Sequence, residues 1–180
     1  VQRVELLLKD FGITPEYRSV VLPARQAARE AMSDATRGNE GIYCGAAIEL
    51  KDGTIITGSN SPMMHAASSL ILRAIKHLAE IPPKLELLPT NIIESLRGFK
   101  TDILGEKSVS LNLEEALVAL SISATANPAA RLALEKVRDL NGCEVHMTHI
   151  PTPGDDAGLR RIGVNVTSDP DFATNNLFIS

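Results

Sequence analysis

Residues 42–80 constrain the fold more than any other stretch of the chain. Ile42, Cys44, Ala46, Ile48 and Leu50 recur at every second position, the pattern of a strand with one buried face. Asp52-Gly53 stands where the chain must then reverse, and a two-residue type I′ turn needs two residues that accept positive φ. Thr54-Ile55-Ile56-Thr57 is predicted as the returning strand. Gly58 to Pro62 reads as a polar loop in which Ser61 caps a helix and Pro62 opens its first turn. That helix, running to about Glu80, carries Ala67, Leu70, Ile71, Ala74, Ile75 and Leu78 on one stripe and is expected to pack on the sheet.

The flanking segments have their own signals. Val4, Leu7, Leu8 and Phe11 predict an opening amphipathic helix closed by Gly12, and Pro23 starts a second helix to about Ala35. Ile81-Pro82-Pro83 stops the long helix, after which Leu85 to Leu88 is predicted as a short third strand. A helix from Pro89 would bury Ile92, Leu96, Phe99 and Ile103. Asn112 with Glu115 is a capping-box pattern, and Asn127-Pro128 caps and restarts the next helix. Cys143 to Ile150, a helix from about Asp155 to Ile162, and Val164 to Val166 complete a strand, helix, strand unit. The expected architecture is three-layer α/β/α with a mixed five-stranded sheet. Residues 1–41 form a helical lead-in, 42–170 the α/β domain, and 171–180 a polar tail.

Composition narrows the function classes. With 180 residues, 3% aromatic content and no Trp, one domain with an aliphatic core is expected. A net charge of −4 supplies no general field for nucleic acid, so no nucleic-acid partner is expected. Arg18, Arg25, Arg29 and Arg37 form the one basic cluster, either a solvated helix face or an anion site. Cys44 and Cys143 lie in apolar runs, which suits buried free thiols and a cytoplasmic setting. No apolar run is long enough to span a membrane, and the chain opens on Val1 without a signal-like segment, so a fragment of a larger cytoplasmic protein is expected.

Two resemblances sharpen these expectations. Ala46-Ala47-Ile48-Glu49-Leu50 through Asp52-Gly53 to Thr57-Gly58-Ser59-Asn60 resembles the hairpin of the cytidine-deaminase-like fold, and His65-Ala66-Ala67 falls where that superfamily writes His-Ala-Glu. Pro89-Thr90-Asn91-Ile92-Ile93 takes the place of its Pro-Cys-x-x-Cys. The resemblance implies a zinc-less member: Ala67 stands for the proton-shuttling Glu, and Thr90 and Ile93 for the two thiolates, so no metal and no cofactor is expected. The whole chain is also similar to the C-terminal part of the bacterial family called domain of unknown function 1846, or uncharacterised protein family 0371. Val20-Val21-Leu22-Pro23-Ala24, Ala47 to Leu50 with Asp52-Gly53, Ala74-Ile75-Lys76, Asn127-Pro128, Gly142-Cys143-Glu144 and Gly163 to Thr167 carry that similarity. It implies a partner, an N-terminal half with a phosphate-loop-like segment that this sequence lacks. His65 and Ala67 depart from that family's pattern, where glycine and serine are expected.

The candidate ligand-binding residues are Asn60, Ser61, His65, His146 and Thr148. The first three surround the start of the central helix, where free N–H groups could hold a small anionic ligand or simply be capped. His146 and Thr148 lie near the C-terminal end of a strand, where α/β sheets gather ligands; exposure at a sheet edge is the competing reading. All five are expected to converge, so that truncating His146 weakens binding and leaves stability nearly unchanged. His146 and His149, three apart on a strand, point to opposite faces and cannot form a simple metal pair. Three classes stay open: a binding or assembly domain, a zinc-free enzyme domain acting on a nucleotide-like or phosphorylated molecule, and a structural remnant. The nearly continuous apolar run Ala116 to Leu120 with Ile122 predicts a homo-oligomer or a second intrachain cover.

Overall fold

A computed structural model describes residues 10, 12 and 14–173. The expected opening helix through Val4, Leu7, Leu8 and Phe11 lies outside the described residues, as does most of the expected tail. The helices are α1 (Val21–Ala31), α2 (Ala66–Leu78), α3 (Thr90–Gly98), α4 (Leu113–Ser123), α5 (Pro128–Glu135) and α6 (Pro153–Ile162); the strands are β1 (Gly45–Glu49), β2 (Ile55–Ser59), β3 (Glu144–Met147) and β4 (Asn165–Ser168).

The sheet is mixed, in the order β2-β1-β3-β4. β1 pairs antiparallel with both neighbours, Ala47 opposite Thr57 and His146, whereas β3 and β4 are parallel across the α6 crossover. Four strands, not five, are present among the described residues. Leu87 and Leu88 are buried in the main core, yet residues 85–88 form bends with no ladder partner among the described residues. Pro82, Pro83 and Pro89 flank the segment and have no N–H with which to extend a ladder beyond it at either end.

Two glycines let helices approach both faces. A Cβ on Gly45 would stand 2.1 Å from the Ala24 carbonyl oxygen of α1, and one on Gly58 would stand 2.5 Å from the Leu70 nitrogen of α2. Val20, Ala24 and Ala47 form a small cluster on the α1 face. The main core lies on the other face, where Ala46, Ile48, Val145 and Met147 meet Leu70, Ile71 and Ile75 of α2, with Leu113, Leu120, Ala133 and Leu159 behind them. No aromatic side chain is buried in either core cluster among the described residues, in line with the composition.

Several local details differ from the sequence expectation. At the hairpin only Gly53 has positive φ (+84°); the Gly53 N–H bonds to the Leu50 carbonyl, and Asp52 Oδ1 accepts from Thr54 N at 2.9 Å. The side-chain bond holds Asp52 out of the left-handed region, so the loop closes with one glycine bulge residue. The pair of consecutive positive φ values falls instead at Glu40 (+51°) and Gly41 (+79°), between mutually bonded Asn39 and Ile42. α2 starts five residues after Ser61, whose hydroxyl caps the tight turn to Met63 and Met64. α3 runs into a π-helical turn, Phe99–Ile103, which turns Phe99 and Ile103 outward and buries Lys100. Lys100 Nζ donates to the Ser110 carbonyl and to Glu115, each at 2.9 Å.

Candidate functional site

The site is assembled from helix starts. Thr152 caps α6, accepting from Asp155 N, and Thr152 Oγ1 donates to Asp155 Oδ2 at 2.7 Å. Asp155 is 2% exposed. Its Oδ1 accepts from Leu113 N, the first residue of α4, at 2.9 Å, and its Oδ2 lies 2.7 Å from Nδ1 of His65, the N-cap of α2. A carboxylate at three helix starts is favoured by their aligned N–H dipoles.

In front of this junction lies a cleft of about 220 Å³, lined by Asn60, Ser61, His65, His149, Asp155 and neighbouring residues. Ile42, Met64, Met147 and Ile150 give it apolar walls. Of the predicted site residues, Asn60, Ser61 and His65 come together here. Asn60 spends its side chain on the wall itself: Oδ1 accepts from Cys44 N at 2.8 Å and Nδ2 donates to the Ile42 carbonyl at 3.0 Å. These bonds continue the β1–β2 pairing past its last strand residue. His65 Nε2 makes no hydrogen bond among the described residues, and the His65 side chain is 23% exposed.

His146 and Thr148 do not line the cleft. His146 is 3% exposed and sits on the α1 face, opposite Ala47, with Nδ1 bonded to Thr167 Oγ1 at 2.9 Å and Nε2 3.4 Å from Asp169 Oδ1. Both the exposed-edge reading and the convergence of all five residues are therefore corrected, because a central strand sends alternate side chains to opposite faces. Burial pushes the His146 imidazole below its ordinary range, against the Asp169 carboxylate. Thr148 is buried, accepts from Gly45 N at 2.9 Å and holds His149 Nδ1 at 2.9 Å. His149, which does line the cleft, is also pushed down by burial.

The chemistry of the cleft is polar without a strong nucleophile. Cys44 lines it, but burial, with the Asp155 charge adding, pushes its thiol up to about 12. Among the described residues no Lys or Arg lines the cleft, so its expected small anionic ligand lacks a cationic partner; Glu40 and Asp155 are both acidic. The basic cluster is spent elsewhere: Arg18 binds Glu144 and Thr167, Arg25 binds Asp169 and Glu16, Arg29 bonds Gln26 and Arg37 faces Asp34. Nor do the residues fit a deaminase zinc. His65 is turned to Asp155, Ile93 is packed in the core, and among the described residues no three His, Cys, Asp or Glu side chains gather to hold a metal.

Asp155, read from the sequence only as a helix start, and His149, weighed only as half of a metal pair, were not among the predicted ligand-binding residues. Thr152-Pro153-Gly154-Asp155 is a Ser/Thr-x-x-acid capping pattern and could have marked Asp155; nothing local marks its bonds to Leu113 and His65.

Comparison with known proteins agrees with this reading of a family domain. Residues 16–178 match the family described as domain of unknown function DUF1846, C-terminal. The chain is 38% identical over 178 residues to a UPF0371 protein of Clostridioides difficile (strain 630), covering 99% of this chain and 35% of that one. It is 42% identical over 176 residues to a UPF0371 protein of Clostridium botulinum (strain Alaska E43 / Type E3), covering 98% and 35%. The chain thus spans about a third of the length of these relatives, and no helix among the described residues is long and apolar enough to cross a membrane. The chain belongs to the DUF1846 C-terminal domain family.

Proposed function

We propose that this domain is a binding and assembly module of a larger cytoplasmic bacterial protein, and that the cleft in front of His65 recognises a small polar molecule. The observation that carries the reading is the rigid setting of His65, fixed at a helix start by a buried carboxylate, with Nε2 bonded to nothing among the described residues, in a mostly apolar-walled cleft. Ser61 adds a hydroxyl, Asn60 shapes the wall, and Thr148 holds His149. His146 acts from the opposite face by tying β3 to β4. The relatives' additional length supports an N-terminal partner half, which on the family resemblance carries a phosphate loop. A zinc-less deaminase-like fold is supported by the hairpin that leads into α2 and by the parallel β3-α6-β4 unit.

A second reading, a zinc-free enzyme domain acting on a nucleotide-like molecule, is favoured by the His65–Asp155 contact, since acid-base catalysis uses an imidazole oriented in this way. For assembly, Val118 (55% exposed) and Ile122 (49%) leave one face of α4 uncovered, which supports self-association; light scattering is expected to give more than the monomer mass. A thermal-shift panel of nucleosides, nucleotides, sugar phosphates and small amides tests the cleft. At least one compound should raise the midpoint in the 180-residue chain and fail to do so in His65→Phe. A panel that moves neither protein contradicts the binding reading.

A further inference from the structure

We infer that the cleft takes an uncharged ligand that presents an N–H or O–H group to His65 Nε2, an amide or hydroxyl compound and not an anion. The inference rests on the cleft being the binding site, as proposed above.

The acceptor character of the site follows from its bonding. Asp155 is 2% exposed and receives the Leu113 N–H and the Thr152 hydroxyl in addition to His65. An ionised carboxylate only accepts, so the proton between Asp155 Oδ2 and His65 Nδ1 belongs to the ring. A neutral imidazole has one N–H. With Nδ1 protonated, Nε2 presents its lone pair, and among the described residues nothing bonds to it.

The surroundings exclude an anion on separate grounds. Neither Lys nor Arg lines the cleft among the described residues, whereas Glu40 and Asp155 do. His149 supplies no compensating charge, since burial holds it toward its neutral form. The attraction of helix starts for negative charge is already used by Asp155, which the Leu113 N–H holds in place. A volume of about 220 Å³ between Ile42, Met64, Met147 and Ile150 suits a small ring or short chain with a single polar end.

Benzamide and benzoate test this directly, because they share a shape and differ in whether the polar end donates a proton or carries a negative charge. Imidazole nitrogen NMR of the 180-residue chain should find the neutral His65 ring protonated on Nδ1. Benzamide should shift the Nε2 signal saturably, with benzoate and inorganic phosphate weaker by about tenfold or more, the equivalent of one good hydrogen bond. His65→Phe, which leaves the Leu113 and Thr152 bonds to Asp155, should weaken benzamide by a similar factor, read on the Met64 methyl. A proton on Nε2 in the free neutral ring overturns the inference, as does unaltered benzamide affinity in His65→Phe. Benzoate or phosphate binding at His65 as tightly as benzamide also overturns it while leaving the cleft as a binding site. If no probe moves His65 the inference falls, and the thermal-shift panel then decides the broader reading independently.

Discussion

Asp155 Oδ2 lies 2.7 Å from His65 Nδ1 while Oδ1 of the same carboxylate accepts from Leu113 N at 2.9 Å, so one buried side chain joins the starts of α2, α4 and α6. Removing it strands the donors of two other helices. Asp155→Ala is expected to lower unfolding free energy by about 3 kcal/mol, since bonds to a charged group carry roughly 1.5–3 kcal/mol each and part of the loss is recovered by water. Urea denaturation measures it, and a loss under about 1 kcal/mol would contradict the junction role.

Gly45→Ala and Gly58→Ala should each be destabilising through contact and not through φ. The added methyl meets backbone atoms, Ala24 O and Ala28 N in the first case and Leu70 N in the second, so a whole helix must move away from the sheet. About 2–3 kcal/mol is expected for each, at the upper end for overpacking. Gly53→Ala meets nothing within 4 Å and should cost only its left-handed φ, about 1 kcal/mol. Equal losses at all three positions would show that the helices do not press on the strands.

Stability should fall as pH drops below about 6.5, the ordinary histidine value. Burial lowers the folded-state pKa of His146, so in the window below 6.5 the unfolded chain binds a proton that the folded chain resists; His149 adds in the same direction. Stability is then full above that window and is lost as the pH falls through it. Asp169, held below its ordinary 3.8 first by its hydrogen bond to Arg25, begins to contribute a loss only at lower pH. Midpoints measured across the range should slope down toward acid, and His146→Gln should flatten part of that slope. A profile flat between neutrality and the carboxylate range counts against a neutral buried His146.

The elements were legible where local rules decide and obscure where distant residues do. The Asn112–Glu115 capping box and the Asn127-Pro128 start were readable because their bonds close within three residues. The phase of α3 was not, since Lys100 is drawn inward by Glu115 and the Ser110 carbonyl, and the π turn that allows this has no sequence mark. The segment 85–88 carried the hydrophobicity of a strand but had no ladder to join. In the site, alternation separated His146 from His149 correctly, yet it gave no means of choosing which face would hold the cleft. Asp169 decided that His146 is internal, and its pairing with Arg25 spans 144 positions.

Calorimetric titration of the strongest compound from the thermal-shift panel into three proteins, unaltered, His65→Phe and His146→Gln, tests the cleft most directly. His65→Phe should weaken binding by about 1–3 kcal/mol, the cost of leaving a polar ligand group unpaired, while His146→Gln binds as the unaltered chain does. Undiminished binding to His65→Phe, or a loss confined to His146→Gln, would place the site on the other face of the sheet and contradict the assignment.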